Sequence, residues 1–285
     1  MTTKKQKLIH MKKLVYTLFI IGFTAPILFS QDSDKGDKKV KLGISVTPAI
    51  NWLTPDNANK VKPGGMAMKA GIGLLADFRL TDIIWLNTGI EYTGAGGKLN
   101  YNSNDTAFYY YKDDNVVPVA PANVGNPYNS TGSSNGTAYR LLKRTYKVGY
   151  VHIPIGFKLK TKELSGITYF GQIGGDVFFK TSATGDDDVA KDITGTTSSF
   201  SKNKLNDAVS FFNASAHVGA GLEYRISGST AIMASLQYRH GMTNFTSDGT
   251  NNLLRTSGNL AASTITQFNN GTKLRQVVLT IGLMF

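Results

Sequence analysis

The 285-residue chain predicts an all-β fold: an eight-stranded antiparallel up-and-down transmembrane β-barrel with short turns at one end and long loops at the other. Three observations carry that expectation. Apolar side chains alternate with polar or glycine positions at a period of two in one segment after another, the pattern of strands with one greasy face. The connections between these segments are tight and long in strict alternation. After residue 30 no stretch holds about eighteen consecutive apolar residues, so a membrane crossing has to be made by strands.

Residues 1–30 are read apart from the fold. Lys4, Lys5, Lys7, Lys12 and Lys13 make a basic start, Leu14 to Phe29 an apolar stretch broken by Pro26, and Ser30 a small residue at the cut. That is the layout of a secretory signal peptide; a retained anchor would need about twenty unbroken apolar residues. Residues 31–39, charged around Gly36, then form a short periplasmic tail, and 40–285 the barrel.

Setting the five leader lysines aside lowers the net charge from +12 to +7. The remaining basic residues are scattered, which excludes a nucleic-acid footprint and suits contact with anionic lipid head groups. The absence of cysteine excludes disulfides, thiolate metal sites and a lipid-bearing cysteine. Thirty Gly, thirteen Tyr and fifteen Phe beside 41% hydrophobic residues favour β structure with many turns and close backbone approaches.

In chain order the alternating segments run roughly Val40 to Ile50, Met66 to Leu80, Ile83 to Tyr92, Thr145 to Lys160, Ile167 to Lys180, Ala208 to Ile226, Thr230 to Arg239 and Lys273 to Phe285. Thr81-Asp82, a turn around Glu163 to Gly166, and Ser227-Gly228-Ser229 make the tight connections. Asn51 to Gly65, Thr93 to Arg144, Thr181 to Asp207 and His240 to Thr272 make the long polar ones. Up-and-down strands place alternate connections at opposite ends, so one end is trimmed and the other ragged, as in barrels with short periplasmic turns and long external loops.

The faces agree. Met68, Ile72, Leu74, Phe78 and Leu80 share one side of the second segment, opposite Lys69, Gly71, Gly73, Asp77 and Arg79. In the sixth, Phe212, Val218, Leu222 and Tyr224 oppose Asn213, His217, Glu223 and Arg225. A soluble β-sandwich also alternates, with the apolar side as its core. The long strands, the leader, and aromatics near strand ends (Trp85, Tyr92, Tyr169, Tyr224, Tyr238, Phe285) favour the membrane barrel. Backbone groups in hydrocarbon must all be paired internally, which requires closure, and eight strands enclose a lumen that side chains fill.

A lumen polar cluster is therefore expected from Asp77, Arg79, Glu91, His152, Lys158, His217, Glu223, Arg225 and Arg239. Its charges would satisfy one another in the narrow interior, the alternative being a proton or ion pathway. No cofactor and no metal is expected, since His152 and His217 lack an evident third ligand. Catalysis is not expected either: His240 has Ser235 and Ser247 nearby in sequence, but no nucleophile, base and orienting acid stand at a defined spacing. Phe108, Tyr109, Tyr110 and Tyr111 are contact candidates for a partner, or pair across an external hairpin. The run Asp186, Asp187 and Asp188 lacks the spacing of a calcium loop. Phe285 on the amphipathic last strand reads as a signal for barrel-assembly machinery.

In "VGYVHIPIGFKLK" Val151, Ile153, Ile155, Phe157 and Leu159 would face lipid, and a local bulge or shared water is expected at Pro154, which has no donor for the ladder. The stretch resembles the Tyr-Leu-Glu-Ile-Pro strand of the PorT-like outer-membrane β-barrel family of Gram-negative bacteria, with further likeness in "GQIGGDVFF", "AHVGAGLEYRI", "LQYRHGMTNF" and "VVLTIGLMF". His152 stands where that family commonly has an acidic residue. The resemblance implies an integral bacterial outer-membrane location and a link to protein secretion or envelope organisation. The expected role is a non-enzymatic interaction or scaffold element; a narrow porin-like channel and a lipid-modifying enzyme are the alternatives. Expected partners are outer-membrane lipids, barrel-assembly machinery and envelope proteins reached through the external loops.

Overall fold

The computed structural model describes residues 39–59, 61–101, 105–106, 108–112, 114–118, 138–190, 196–247, 253–256, 265–268 and 271–285. The expected signal peptide, and the tail apart from Lys39, lie outside the described residues.

The strands are β1 (Val40–Val46), β2 (Ala49–Pro55), β3 (Val61–Gly65), β4 (Ala67–Lys69), β5 (Gly71–Arg79), β6 (Ile84–Tyr101), β7 (Asp105–Thr106), β8 (Phe108–Lys112), β9 (Asn115–Pro118), β10 (Ala138–Lys160), β11 (Ile167–Ala190), β12 (Thr197–Lys204), β13 (Phe212–Ser227), β14 (Thr230–Gly241), β15 (Leu253–Thr256), β16 (Ile265–Phe268) and β17 (Thr272–Met284). Among the described residues, fourteen of them form one sheet, and β16, β15 and β7 a second. The large sheet closes on itself: β1 pairs β5, then β6, β10, β11, β13, β14 and β17 follow in turn, and β17 returns to β1.

Fourteen strands replace the expected eight for two physical reasons. Pro48 has no N–H, so the ladder breaks between β1 and β2, although both keep one register against β17, with Val46 opposite Ile281 and Ala49 opposite Val278. In addition, long strands run on past the segments read from the sequence and acquire short partners. The expected loops Asn51 to Gly65, Thr93 to Arg144 and Thr181 to Asp207 are in large part ladder: β2 and β3, the ends of β6 and β10, and the β11–β12 pair.

The alternation misled there because its meaning inverts. Toward the tight turns, outward Ile155, Phe157, Ile173, Val218, Leu236 and Ile281 are exposed and apolar, while inward Asp77, Glu91, His152 and Asp176 are buried and polar. Past Tyr92 and Val151, which pair, inward Ala95, Leu99, Tyr146, Val148 and Tyr150 form an apolar cluster and outward positions include Lys98 and exposed Lys147. The same period-two chain thus meets hydrocarbon on the outside of its lower half and water on the outside of its upper half.

Two local devices make this possible. Between Gly149 and Tyr150 the β10–β11 register shifts by one residue, so β11 carries its inward face on Phe170, Gln172, Asp176 and Phe178 and then on Ala183, Gly185, Asp187 and Val189. A bulge of this kind re-aims every later side chain. At Gly96, φ is 145°, and an added Cβ would lie 2.1 Å from the Tyr146 carbonyl oxygen, so only glycine lets β6 and β10 close here.

Two expectations are corrected, the bulge at Pro154 and the place of Trp85 in an aromatic belt. Pro154 sits in unbroken register against β11, opposite Asp176, and without a bulge; its missing donor leaves a gap in the β6 ladder, which skips Ile153 and Pro154 and resumes at Ile155. The Thr88 hydroxyl donates to the Pro154 carbonyl at 2.8 Å. Trp85 is not part of an outer aromatic belt: it faces inward and is buried, because odd positions of β6 point to the lumen.

Candidate functional site

The barrel interior is built in layers. Nearest the tight turns, β5 supplies Asp77, β6 Trp85 and Asn87, β10 Lys158 and Lys160, and β13 Glu223. Lys158 Nζ donates to both Asp77 oxygens at 3.1 and 3.0 Å, and Asn87 donates to the same carboxylate at 2.6 Å. Lys160 Nζ bridges Glu223 at 2.6 Å and Asp77 at 3.3 Å, and stands 4.4 Å above the Trp85 ring centroid. Lys41 approaches Glu223 at 3.6 Å. Buried charges persist only when paired and hydrogen-bonded in this way.

The middle layer centres on Asp176 of β11. His152 Nε2 lies 2.8 Å from one of its oxygens; the Ser215 hydroxyl and His217 Nδ1 lie 2.8 and 3.0 Å from the other. Arg239 Nε is 3.8 Å away. The second nitrogen of His152 faces Glu91 at 3.4 Å, and Glu91 accepts from Thr47 at 2.7 Å. His152 stacks on Phe178 with centroids 4.5 Å apart. Glycine makes the room: a Cβ on Gly71 would meet Glu91 at 2.3 Å, and one on Gly174 would meet His217 at 2.9 Å. Between the two layers lies a cavity of about 20 Å³, lined by Glu91, Lys158, Gln172, His217, Ser235 and Arg239 among others, room for about one water molecule.

The loop-side layer is held by Arg144 of β10 and Asp187 of β11, a two-pronged pair at 2.8 and 2.7 Å with both side chains fully buried. Tyr111 donates to Asp187 at 2.8 Å, and the Arg144 guanidinium lies 4.6 Å from the Tyr109 ring centroid. Burial pushes the Tyr109 hydroxyl up to about 12. Burial, reinforced by the Asp187 charge, also raises Tyr111 well above the ordinary tyrosine value.

Of the residues expected in the lumen, Asp77, Lys158 and Glu223 meet in the first layer, and Glu91, His152, His217 and Arg239 in the second. Arg79 and Arg225 do not join them. Arg79 pairs with Asp82 in the β5–β6 turn at 2.7 Å, and exposed Arg225 pairs with Glu163, since both stand where the barrel opens to water. The aromatic run is corrected as well: Tyr109 and Tyr110 are buried, and Tyr111 stacks on Phe200 at 4.2 Å between centroids. They pack in the upper core rather than present a contact surface; the Phe108 side chain lies outside the described residues. Exposed Phe285 pairs its backbone with Leu42 in both directions.

Sequence reasoning missed Asp176, Lys160 and Asp187. For the first two the signal was present: Lys160 shares the parity of Lys158, and Asp176 that of Phe170 and Gln172. Asp187 was hidden by the register shift. His240 and Ser235 stand on opposite faces of β14, His240 exposed and Ser235 buried toward the lumen.

A family model described as outer membrane protein beta-barrel domain matches residues 29–247. No curated protein matches the chain. Similar solved structures include the attachment invasion locus protein of Yersinia pestis with sucrose octasulfate (12% identity, 87% of this chain and 99% of that one, TM-score 0.33) and Neisserial surface protein A (10%, 88% and 98%, 0.36). The outer membrane protein OprG from Pseudomonas aeruginosa is another (13%, 88% and 98%, 0.34).

Proposed function

Because this chain belongs to the outer membrane protein β-barrel domain family and is an integral protein of the bacterial outer membrane, we propose that it is a sealed, non-enzymatic scaffold barrel. In this reading eight staves cross the membrane, β1 with β2 and β3 with β4 and β5 each counting as one, with the tight turns in the periplasm and the long connections outside. The observation that carries it is the filled lumen: two layers of matched charge leave about 20 Å³ between them, and an apolar core closes the barrel above.

A plug of this kind lends rigidity to what the barrel holds up, and loops on a rigid support are where binding resides. The opposed faces of Ser235 and His240 support the non-enzymatic reading, and the resemblance to PorT-like barrels directs the search for partners toward envelope proteins of secretion. The purified protein in planar bilayers is expected to be electrically silent, and reproducible conductance steps would exclude the sealed scaffold. In quantitative pull-downs from detergent-solubilised outer membranes, removal of residues 119–137, which spares the Tyr109–Tyr111 core contacts, is expected to release envelope partners.

A further inference from the structure

The outward face of β14, β17 and β2 changes character along its length. These strands, with β1 on the same side of β17 as β2, align Ile232, Leu283 and Ile44, then Ala234, Ile281 and Val46, then Leu236 with Leu279, then Tyr238, Val277 and Ile50. These rows are apolar. The next row toward the loops is His240, Arg275 and Trp52, and Lys273 follows opposite Thr54. From Ile44 to Trp52 eight residues of strand, at roughly 3.4 Å each and tilted by about 40°, climb about 20 Å. With the Leu42–Phe285 row below this approaches the roughly 25 Å height of an outer-membrane apolar band. The cationic row therefore sits at the rim of the hydrocarbon, at the depth of lipid head groups.

No Asp or Glu occupies an outward position on these three strands. Among the described residues Arg275 is held by two lone-pair acceptors: its Nη1 donates to the Tyr238 hydroxyl at 3.0 Å and to His240 Nδ1 at 3.2 Å. Its Nε is buried, with no hydrogen-bond partner among the described residues, and is closed to a ligand from outside. With Nδ1 of His240 accepting, the proton of the neutral ring sits on Nε2, a further outward donor. The Tyr238 ring lies 6.3 Å from that of Trp52, and Lys273 Nζ rests on Asn244 Oδ1 at 2.7 Å. A preorganised guanidinium, a second cation above it and two amphipathic rings beside it form a seat for an oxyanion, while the apolar rows beneath form a track for acyl chains.

We propose that Arg275, His240 and Lys273, framed by Trp52 and Tyr238, bind the phosphate-bearing head group of a membrane lipid in the leaflet at the loop end, its chains lying on the Ile50–Val277 strip. The phosphate supplies the negative charge that these strands lack on their outward face.

The full-length barrel in a phosphate-free nonionic detergent is titrated with phosphatidylglycerol, with a diacyl glycolipid lacking phosphate, and with inorganic phosphate, and bound lipid is read by native mass spectrometry. Phosphatidylglycerol is expected to bind at least about tenfold more tightly than the glycolipid, and Arg275→Gln to abolish about tenfold of that affinity. Arg275→Lys should retain part of it, and Lys98→Gln on β6 should change nothing. Equal binding of the two lipids, or an Arg275→Gln variant that binds like the parent, overturns the proposal. Inorganic phosphate that displaces the lipid at equal concentration also overturns it, by assigning a free-anion site. Folding of each variant is checked by heat-dependent gel migration; should Arg275→Gln fail to fold, His240→Gln and Lys273→Gln are expected to weaken the lipid severalfold, and unchanged binding in both counts against the site.

Discussion

Asp77 matches two lysine charges at once, and nothing else in its layer can take over for Lys158. Lys160 has Glu223 as a second partner, whereas among the described residues the Lys158 ammonium otherwise meets the Met233 sulfur and the Phe170 ring. Asp77→Ala is therefore expected to cost about 3–5 kcal/mol, the usual penalty for stranding a buried charge, measured by urea unfolding in lipid vesicles. Adding Lys158→Met to that variant should recover much of the loss, and a double variant no more stable than the single one would mean the pair is solvated. Asp77, Lys158 and Glu223 were legible in the sequence because they keep strand parity within segments whose apolar face is unmistakable. Arg79 and Arg225 keep the same parity, yet they lie at the barrel mouth, where a long side chain reaches water more easily than the lumen. Parity reports the face of a residue but says nothing of its depth.

The strand β11 shows what one extra residue does. Thr181 is the residue passed over where the pairing steps from Gly149–Ser182 to Tyr150–Lys180, and it turns Asp187 inward to meet Arg144. Deleting Thr181 would join Lys180 directly to Ser182 and make the alternation continuous, so Ala183, Asp187 and Val189 are expected to stay inward, with the Arg144–Asp187 pair and the upper core kept and only the bulge removed. Two measurements check this: proteolysis within residues 138–149 and 182–190 should stay as low as in the parent, and the Tyr109 hydroxyl, pushed up to about 12 by burial, should titrate as it does in the parent. The parent loses upper-core stability as pH climbs from the unfolded tyrosine value toward 12, since there the unfolded state sheds a proton that the folded one keeps. A loosened upper core in the deletion variant would show that the local twist of the bulge, and not only the facing it sets, holds the upper half together. From sequence the alternation simply stops at Lys180, so the strand looks finished when it has only changed faces.

At the scale of the molecule, closure decides everything else. The ladder between β1 and β17, from Gly43–Met284 to Val46–Ile281, removes the last free edge, and in hydrocarbon a free edge leaves unpaired backbone groups at several kcal/mol each. The unboiled protein is expected to migrate on gels as a compact species distinct from the boiled one, and removal of residues 40–46 to abolish that difference. A truncated chain that still shows heat-dependent migration would mean the ring closes without β1. The upper half adds a second source of stability, a water-facing extension with an ordinary apolar core, so that the molecule is an inside-out barrel continued by a conventional one.

By itself the sequence determined the all-β class, the tight turns, the two faces of each membrane-spanning segment and the presence of a polar interior, because period-two alternation is a local property written residue by residue. The tertiary structure alone decided how far each strand runs, where the faces exchange solvents, which charges share a depth, and that Asp176 and Asp187 organise their layers. Those facts depend on the register between strands distant in the chain and on which solvent meets each face, and neither leaves a mark in the spacing of residues along one strand.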